Sequence, residues 1–504
     1  MTRITSDRTA QHLRNRSLTA AALSLLCLSL SSFAFAREEY SRTFDKSIPV
    51  QAGQRLILEH TLGSISIHTH ASREVSVHAD IKVSASDAAD AKSFAENIAI
   101  LVEPSSTLLN VRTRYPERPG SFFGSRQISY SVNYDVAVPE NMPLQVRNSF
   151  GSVSVAGSQA ACDIKTSHGS LQFNDGRGTQ RLENAFGSIQ VSGNAGDVAV
   201  ENTNGSINVS GIKGALTLRD RFGSVRVSDV TKGAKIVNNN GRVELSGAGD
   251  ISQVDNSFGP VAVSNVKGDL TVNNQNGPVD VNNVSGSATL TNGFGPVRFS
   301  NISGQVTITN RNGPVTGRNA AGLKVQTSFG PVDVGDIRGG VTIVAGQGAV
   351  NVTNVGGETS IRNSFGLIHV ENVGSLSASN ANAAIKASGV RGDATVNTSF
   401  GAVLLDTVSG AVNVGNQNGA VDVTVTGPSC KPIEIRSSFS TIRLRLPERA
   451  SYHVNAKTSF GKITSDFPFG VSASSSQDAV SGVIGSGQCP LTISNSNGNV
   501  NILK

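Results

Sequence analysis

From about residue 146 onward the chain repeats one short pattern of apolar and polar positions. Aliphatic residues recur at Val153, Leu171, Ile189, Ile207, Val225, Val243, Val261, Val279, Val297, Val315, Val332, Val350, Ile368, Ile385, Val403 and Val421. A second apolar residue follows two places later, as in Val155, Phe173, Val191, Val263 and Val281, with Gly317 and Ala387 its weakest members. The residue between the two varies freely: Ser154, Gln190, Arg226, Glu244, Asp280, Arg298, His369. Alternation with period two marks a half-buried β-strand. Further along each unit Val198/Val200, Leu216/Leu218, Leu270/Val272, Val306/Ile308 and Val341/Ile343 predict a second strand, separated from the first by corners such as Asn283-Val284-Ser285-Gly286.

The repeat has clear anchors. Phe-Gly recurs at Phe150, Phe186, Phe222, Phe258, Phe294, Phe329, Phe365 and Phe400, and midway between them lie His168, Asn204, Asn240, Asn276, Asn312, Gln347, Asn382 and Asn418. Successive anchors are 18 residues apart in thirteen of fifteen intervals and 17 in the other two, so the unit is 18 residues with alternate units marked by Phe. Gly follows the anchor in fifteen of sixteen units, Ala383 being the exception, which implies a positive φ or a crowded backbone at that place. Either Phe and Asn share one column of an 18-residue rung, the simpler reading, or the rung is 36 residues with Phe and Asn at opposite corners. In the first case the Asn-x-Asn-Gly corners supply side-chain hydrogen bonds to turn backbone, and the Phe rings fill space left by small neighbours.

A helix-free unit of this size cannot close a core alone, but stacked units bury their aliphatic columns as continuous stripes. The fold expected is all-β: a single-stranded parallel β-helix, right-handed by the crossover preference. Sixteen rungs at the spacing of paired strands give a rod on the order of 75 Å long.

The two ends depart from the pattern. Residues 37–145 form an N-terminal capping β region, in which Thr61 to Ile67 resembles one rung and 86–100 predicts a helix, with Ser86 as a possible N-cap, Asp87 and Asp90 in its first turn, and Ala91, Phe94, Ala95 and Ile98 along one face. Regular rungs occupy 146–425. Residues 426–504 are irregular, with Phe439 and Phe460 following at 21-residue steps, a Ser/Gly-rich segment 469–482 expected to be a flexible loop, and a last rung around Leu491–Ile493 and Val500–Ile502.

Ahead of all this, residues 1–36 have the layout of a signal peptide: Arg3, Arg8, Arg14 and Arg16, an apolar run from Leu18 to Leu30, then Ala34-Phe35-Ala36 before Arg37. Cleavage is expected between Ala36 and Arg37, the run being short of the ~20 residues of a membrane span. Removing the segment brings the formal charge from +6 to +3, too little for a phosphate-binding face, so nucleic acid is not an expected partner. An exported chain is expected in the periplasm or at the cell surface, without an integral membrane segment after cleavage. Of the cysteines left, Cys162 falls on an apolar column and reads as a buried thiol, while Cys430 and Cys489 are either a disulfide or two free thiols.

The Gly63-Ser64-Ile65-Ser66-Ile67 opening, the helix at 86–100, Val138-Pro139-Glu140-Asn141, the Ser-Phe-Gly-x-Val-x-Val rungs and Leu446-Pro447 together resemble the bacterial putative-adhesin family of β-strand-repeat proteins. The resemblance covers nearly the whole mature chain. It implies an exported β-helix with an adhesive or envelope role, and brings no catalytic or ligand-binding residues with it.

Candidate chemistry is sparse. A polysaccharide-cleaving β-helix would cluster carboxylates on neighbouring rungs, whereas the outward column Asp280, Arg298, Thr316, Asp333, Asn351 is mixed. His68 and His70 share a strand face with His78 nearby, but a metal site needs a further ligand, usually a carboxylate, and exposed strand histidines are the simpler reading. No cofactor or metal is expected. The expected function is a non-enzymatic, adhesin-like rod that meets a glycan, a protein or a cell-surface component. A periplasmic structural or sensing component is the alternative, and a polysaccharide lyase or hydrolase a weaker one.

Overall fold

The computed structural model describes residues 37–117, 128–427, 429–469, 474–475 and 478–504. The expected signal segment 1–36 with its Ala36/Arg37 cleavage site lies outside them, as do parts of the expected loop. The chain is a parallel β-solenoid of about 17 turns.

Strand register settles the size of the rung. Strand Leu270–Asn276 pairs in parallel with Ala288–Phe294, placing Asn276 against Phe294, and Val279 lies against Val297. The offset is one 18-residue unit, so Phe and Asn anchors alternate within a single column. In the rung around Asn276 the inward side chains are Leu270, Val272, Asn274, Val279, Val281 and Val284, each at most 3% exposed. Five are aliphatic, and burial of each contributes about 1.5–3 kcal/mol. Val284 reaches the core because Asn283 takes a left-handed conformation (φ 55°), a turn Asn tolerates better than most residues, and Asn301, Asn319, Asn354 and Asn372 do the same in other rungs. Their side chains form an outer ladder, with Asn301 Nδ2 donating to Asn283 Oδ1 at 3.1 Å and Asn319 Nδ2 to Asn301 Oδ1 at 2.8 Å.

The corner after each anchor is where backbones come closest. At Gly277 φ is 131°, and a Cβ there would meet the carbonyl oxygen of Gly259, in the previous rung, at 2.3 Å. Only glycine fits. In the one unit with Ala383, strand Ser375–Asn380 stops two residues short of its anchor Asn382, whose N–H instead donates to Ser364 O.

At the N-terminal end β1 (Glu38–Pro49), β2 (Arg55–Leu62), β3 (Ile65–His70), β4 (Glu74–Ala85), β5 (Ala99–Pro104), β6 (Leu108–Arg114), β7 (Ser129–Pro139), β8 (Leu144–Phe150) and β9 (Val153–Ala156) build the cap. The rung β2–β3 pairs in parallel with β8–β9 on one side and with β6 and β7 on the other. The sheet then turns antiparallel, β7 to β4 to β1. Helix α1 (Ala88–Asn97) lies within the expected span, but Asp87, not Ser86, is its N-cap, accepting from the Ala89 and Asp90 N–H groups. Its buried residues Ala91, Phe94 and Ala95 face the sheet, and Arg42 of β1 donates to Ala95 O at 2.9 Å, a cation at the helix C-terminus.

The C-terminal end is threaded out of sequence order. Strand Cys489–Asn497 lies between Ile433–Phe439 and Tyr452–Phe460, paired in parallel with both, so the rung expected to be last is inserted beneath an earlier one. Ala479–Ile484, which begins within the segment 469–482 expected to be a loop and runs past it, is a strand that pairs antiparallel with Tyr452–Lys457 and covers the outermost rung. A disulfide joins Cys430 to Cys489, with Cα atoms 5.9 Å apart, at the entrances of two neighbouring rungs. Cys162 is buried beside Ser158, and desolvation pushes its thiol pKa up to about 11.

Val279→Asp should destabilise by more than ~4 kcal/mol in denaturant unfolding, since it buries an unpaired charge. Asp280→Asn, which loses only an exposed contact to Arg298, should cost under ~1 kcal/mol. Cys430→Ser should lower stability by about 2–4 kcal/mol, matched by reduction of the unmodified protein.

Candidate interaction surface

A polar column runs through the apolar core two places before each anchor. Asn148, Asn184, Asn202, Asn238, Asn256, Asn274, Asn292, Asn310, Asn363, Asn380, Asn416 and Asn495 occupy it, all buried. Asn292 Nδ2 donates to Gly295 O of its own corner at 3.0 Å and to Gly277 O of the preceding rung at 3.2 Å, and Asn310 repeats this with Gly313 and Gly295. Where Asn stands in two successive rungs, the corner carbonyl between them, as at Gly277 and Gly295, thus collects donors from both. The hydrogen bonds expected for the Asn-x-Asn-Gly corners come mainly from this inner Asn; among the anchors Asn382 Nδ2 donates to Ser364 O at 3.2 Å. The signal was present: Asn recurring inside a strand, where it is ordinarily depleted, two places before the anchor.

At the cap His60 replaces the Asn, held by Thr113 Oγ1 at 3.1 Å and set edge-on to Tyr134, and burial lowers its pKa to about 4. Asp220 also stands in the column, between Asn202 and Asn238. It has no N–H to give to the glycine carbonyls, and neither carboxylate oxygen has a partner of hydrogen-bond geometry. Desolvation raises its pKa to about 7, partly offset by the nearby N–H groups of Arg221 and Phe222.

The anchors themselves face solvent. Phe150, Phe186, Phe222, Phe258, Phe294, Phe329, Phe365 and Phe400, expected to fill space left by small neighbours, are 46–56% exposed. The chain begins its corner before the anchor, so the strict in–out pleat ends at the inner Asn and the anchor swings outward. The rings lie flat along the stack: His168 sits between Phe150 and Phe186 at 4.7 and 4.9 Å, tilted by 17° and 14°. Elsewhere the planar amides of Asn204, Asn240 and Asn276 take the place of His168 in the column.

Beside this stripe, outward residues of the same strands line a long groove of about 770 Å³ that crosses the rungs from Val344 to Ser496. Arg362 and Arg436 stand in it, the smaller Ser379, Asn397 and Gly415 lie at the equivalent position in the rungs between, and no carboxylate is among its lining residues.

The histidines near the N-terminus do not converge. His68 pairs with Asp135 at 3.0 Å, His78 with Asp45 at 2.6 Å, and His70 Nδ1 accepts from the Ser72 hydroxyl. The Asp45 carboxylate raises the His78 pKa. Among the described residues no three His, Cys, Asp or Glu groups come together to hold a metal, and no helix is long and apolar enough to cross a membrane.

The family model Toastrack DUF4097 matches residues 265–503. The C-terminal half of the chain is Toastrack-like. The Toastrack-like region covers the rungs that carry the groove. Three solved structures are also similar. They are a putative cell adhesion protein from Clostridium sporogenes (9% identity, 44% of this chain and 100% of that one, TM-score 0.22), and putative adhesins from Parabacteroides merdae (12%, 64% and 96%, 0.17) and Parabacteroides distasonis (11%, 58% and 97%, 0.15). At these values the likeness does not extend to function. No curated protein matches the chain.

Asp220→Asn should restore the missing donor. The raised carboxyl pKa means the native state holds its proton more tightly than the unfolded chain, so Asp220 costs nothing below about pH 4 and progressively more up to about pH 7. The variant should gain roughly 3 kcal/mol at neutral pH and little at pH 4, read from unfolding curves at both; equal gains would rule out the proton linkage.

Proposed function

We propose that the protein is an exported, non-enzymatic, adhesin-like rod that holds an extended envelope or cell-surface polymer along its length. The observation that carries this reading is the repetition of outward side chains at every rung. One column of alternating rings and amides and one continuous polar groove run parallel to the axis, a geometry that offers a polymer many equal weak contacts. The surface histidines and carboxylates pair off individually along it, as in a solvated binding face. Export rests on the three-part layout of residues 1–36, and the Cys430–Cys489 disulfide suits an oxidising compartment.

The purified chain 37–504 should co-sediment with isolated envelope polymers, peptidoglycan sacculi and outer-envelope polysaccharide among them, with affinity that rises with polymer length. Absence of co-sedimentation with all of them sinks the reading. An epitope placed in 469–482 and lost when protease is added to intact cells would locate the rod outside; loss only after the outer envelope is opened would locate it in the periplasm.

A further inference from the structure

We propose that the groove between Arg362 and Arg436 binds an extended, carboxylate-bearing polysaccharide, a polyuronate, lying along the rod. This rests on the polymer-holding reading above and names the ligand class and the segment that takes it.

Three observations lead to this ligand. The first is charge. The groove lining contains two arginines and no carboxylate, and Arg362 is exposed and pairs with no carboxylate among the described residues, while Arg436 touches only Glu434 of its own strand. The equivalent outward face nearer the N-terminus is closed by internal pairs, Arg147 with Asp163 at 2.7 Å and Lys165 with Glu183 at 3.1 Å. Arg362, left without such a partner, is a bidentate site for a ligand carboxylate, and Arg436 would exchange its Glu434 contact for one.

The second is spacing. Arg362 and Arg436 belong to the Phe365 and Phe439 rungs, with the Asn382, Phe400 and Asn418 rungs between. Four steps of paired strands separate them by roughly 19 Å. A β-1,4-linked uronate chain in its flat two-fold form repeats every two sugars, a length close to two rungs, so carboxylates on the same side can meet both guanidinium groups. Hydroxyls and amides of Ser364, Ser399, Gln417 and Ser438 stand between to meet the sugar hydroxyls, and Phe365, Phe400 and Phe439 of the same rungs are exposed.

The third is the interruption of the repeat. The strand cut short at Asn380 lines this groove, and two corners of the rungs it crosses, Ala383 and Ser440, lack the glycine found after the other anchors. Breaks of an internally consistent pattern concentrate where function demands them. A second copy of the chain is a poorer occupant, because the face is polar and its exposed rings are separated by amides, not joined in the apolar patch that a stable self-interface needs.

The test titrates the mature chain with β-1,4-linked oligoglucuronates and, separately, with neutral cello-oligosaccharides, which share their linkage. Oligoglucuronate should bind, weaken as salt rises, and lose at least tenfold in affinity in the Arg362→Ala/Arg436→Ala double variant. Ser379→Trp, which fills the groove floor, should also abolish binding, and Arg226→Ala/Arg242→Ala on another face should leave it unchanged. Equal binding of neutral chains, wild-type affinity in the double variant, or binding of peptides alone would overturn the proposal. If the double variant binds as wild type and still co-sediments with envelope polymers, the polymer-holding reading stands and only the groove assignment falls. Failure of the unmodified chain both to bind the uronate and to co-sediment with any envelope polymer falls on the wider reading.

Discussion

Backbone meets backbone at the corner of every rung, and the rest of the rod is arranged around that contact. Paired strands set the rise between rungs, and at this rise the glycine after each anchor lies so close to the glycine carbonyl of the rung before that a Cβ would overlap it. The corner is therefore glycine in all rungs but those of Ala383 and Ser440, and the chain begins to turn one residue early. That turn throws the Phe and Asn anchors outward and leaves the Asn two places earlier as the last inward side chain. The carbonyls crowded together at the corner need donors, and the inner Asn amides supply them, from both rungs wherever Asn stands in two successive ones.

A column of buried amides inside a valine and isoleucine core is costly unless its donors are met. Meeting them ties the vertical register of the stack to the corner: a rung slipped by one residue would aim its amide at solvent and a charged side chain at the core. Asp220 shows the rule by breaking it, since it is held in place by its neighbours yet has nothing to donate until it takes up a proton.

A solenoid built this way has two open ends, and edges that would pair with any passing strand. Both are closed by the same device, an antiparallel strand laid across the outermost parallel one: β4 and β1 at one end, Ala479–Ile484 at the other. With the ends closed and the core uniform, what differs along the rod is its outer face. The charges that cancel one another near the N-terminus give way to an uncancelled Arg362 in the Toastrack-like region.

Period, strand positions, the need for glycine and the capping helix were legible in the sequence, because they follow from local rules: alternation of apolar residues, Gly where no Cβ fits, and apolar residues spaced along one helix face. The sequence also showed Ala383 as an irregularity without showing its consequence. Whether Phe faces in or out, that Asn274 and not Asn276 is the inner amide, that Cys489–Asn497 slots between two earlier rungs, and that Arg362 and Arg436 flank one groove were decided by tertiary structure alone. Each depends on which residues of distant rungs come to lie one above another, and on where the corner breaks the two-residue alternation, quantities set by stacking and not by any single rung.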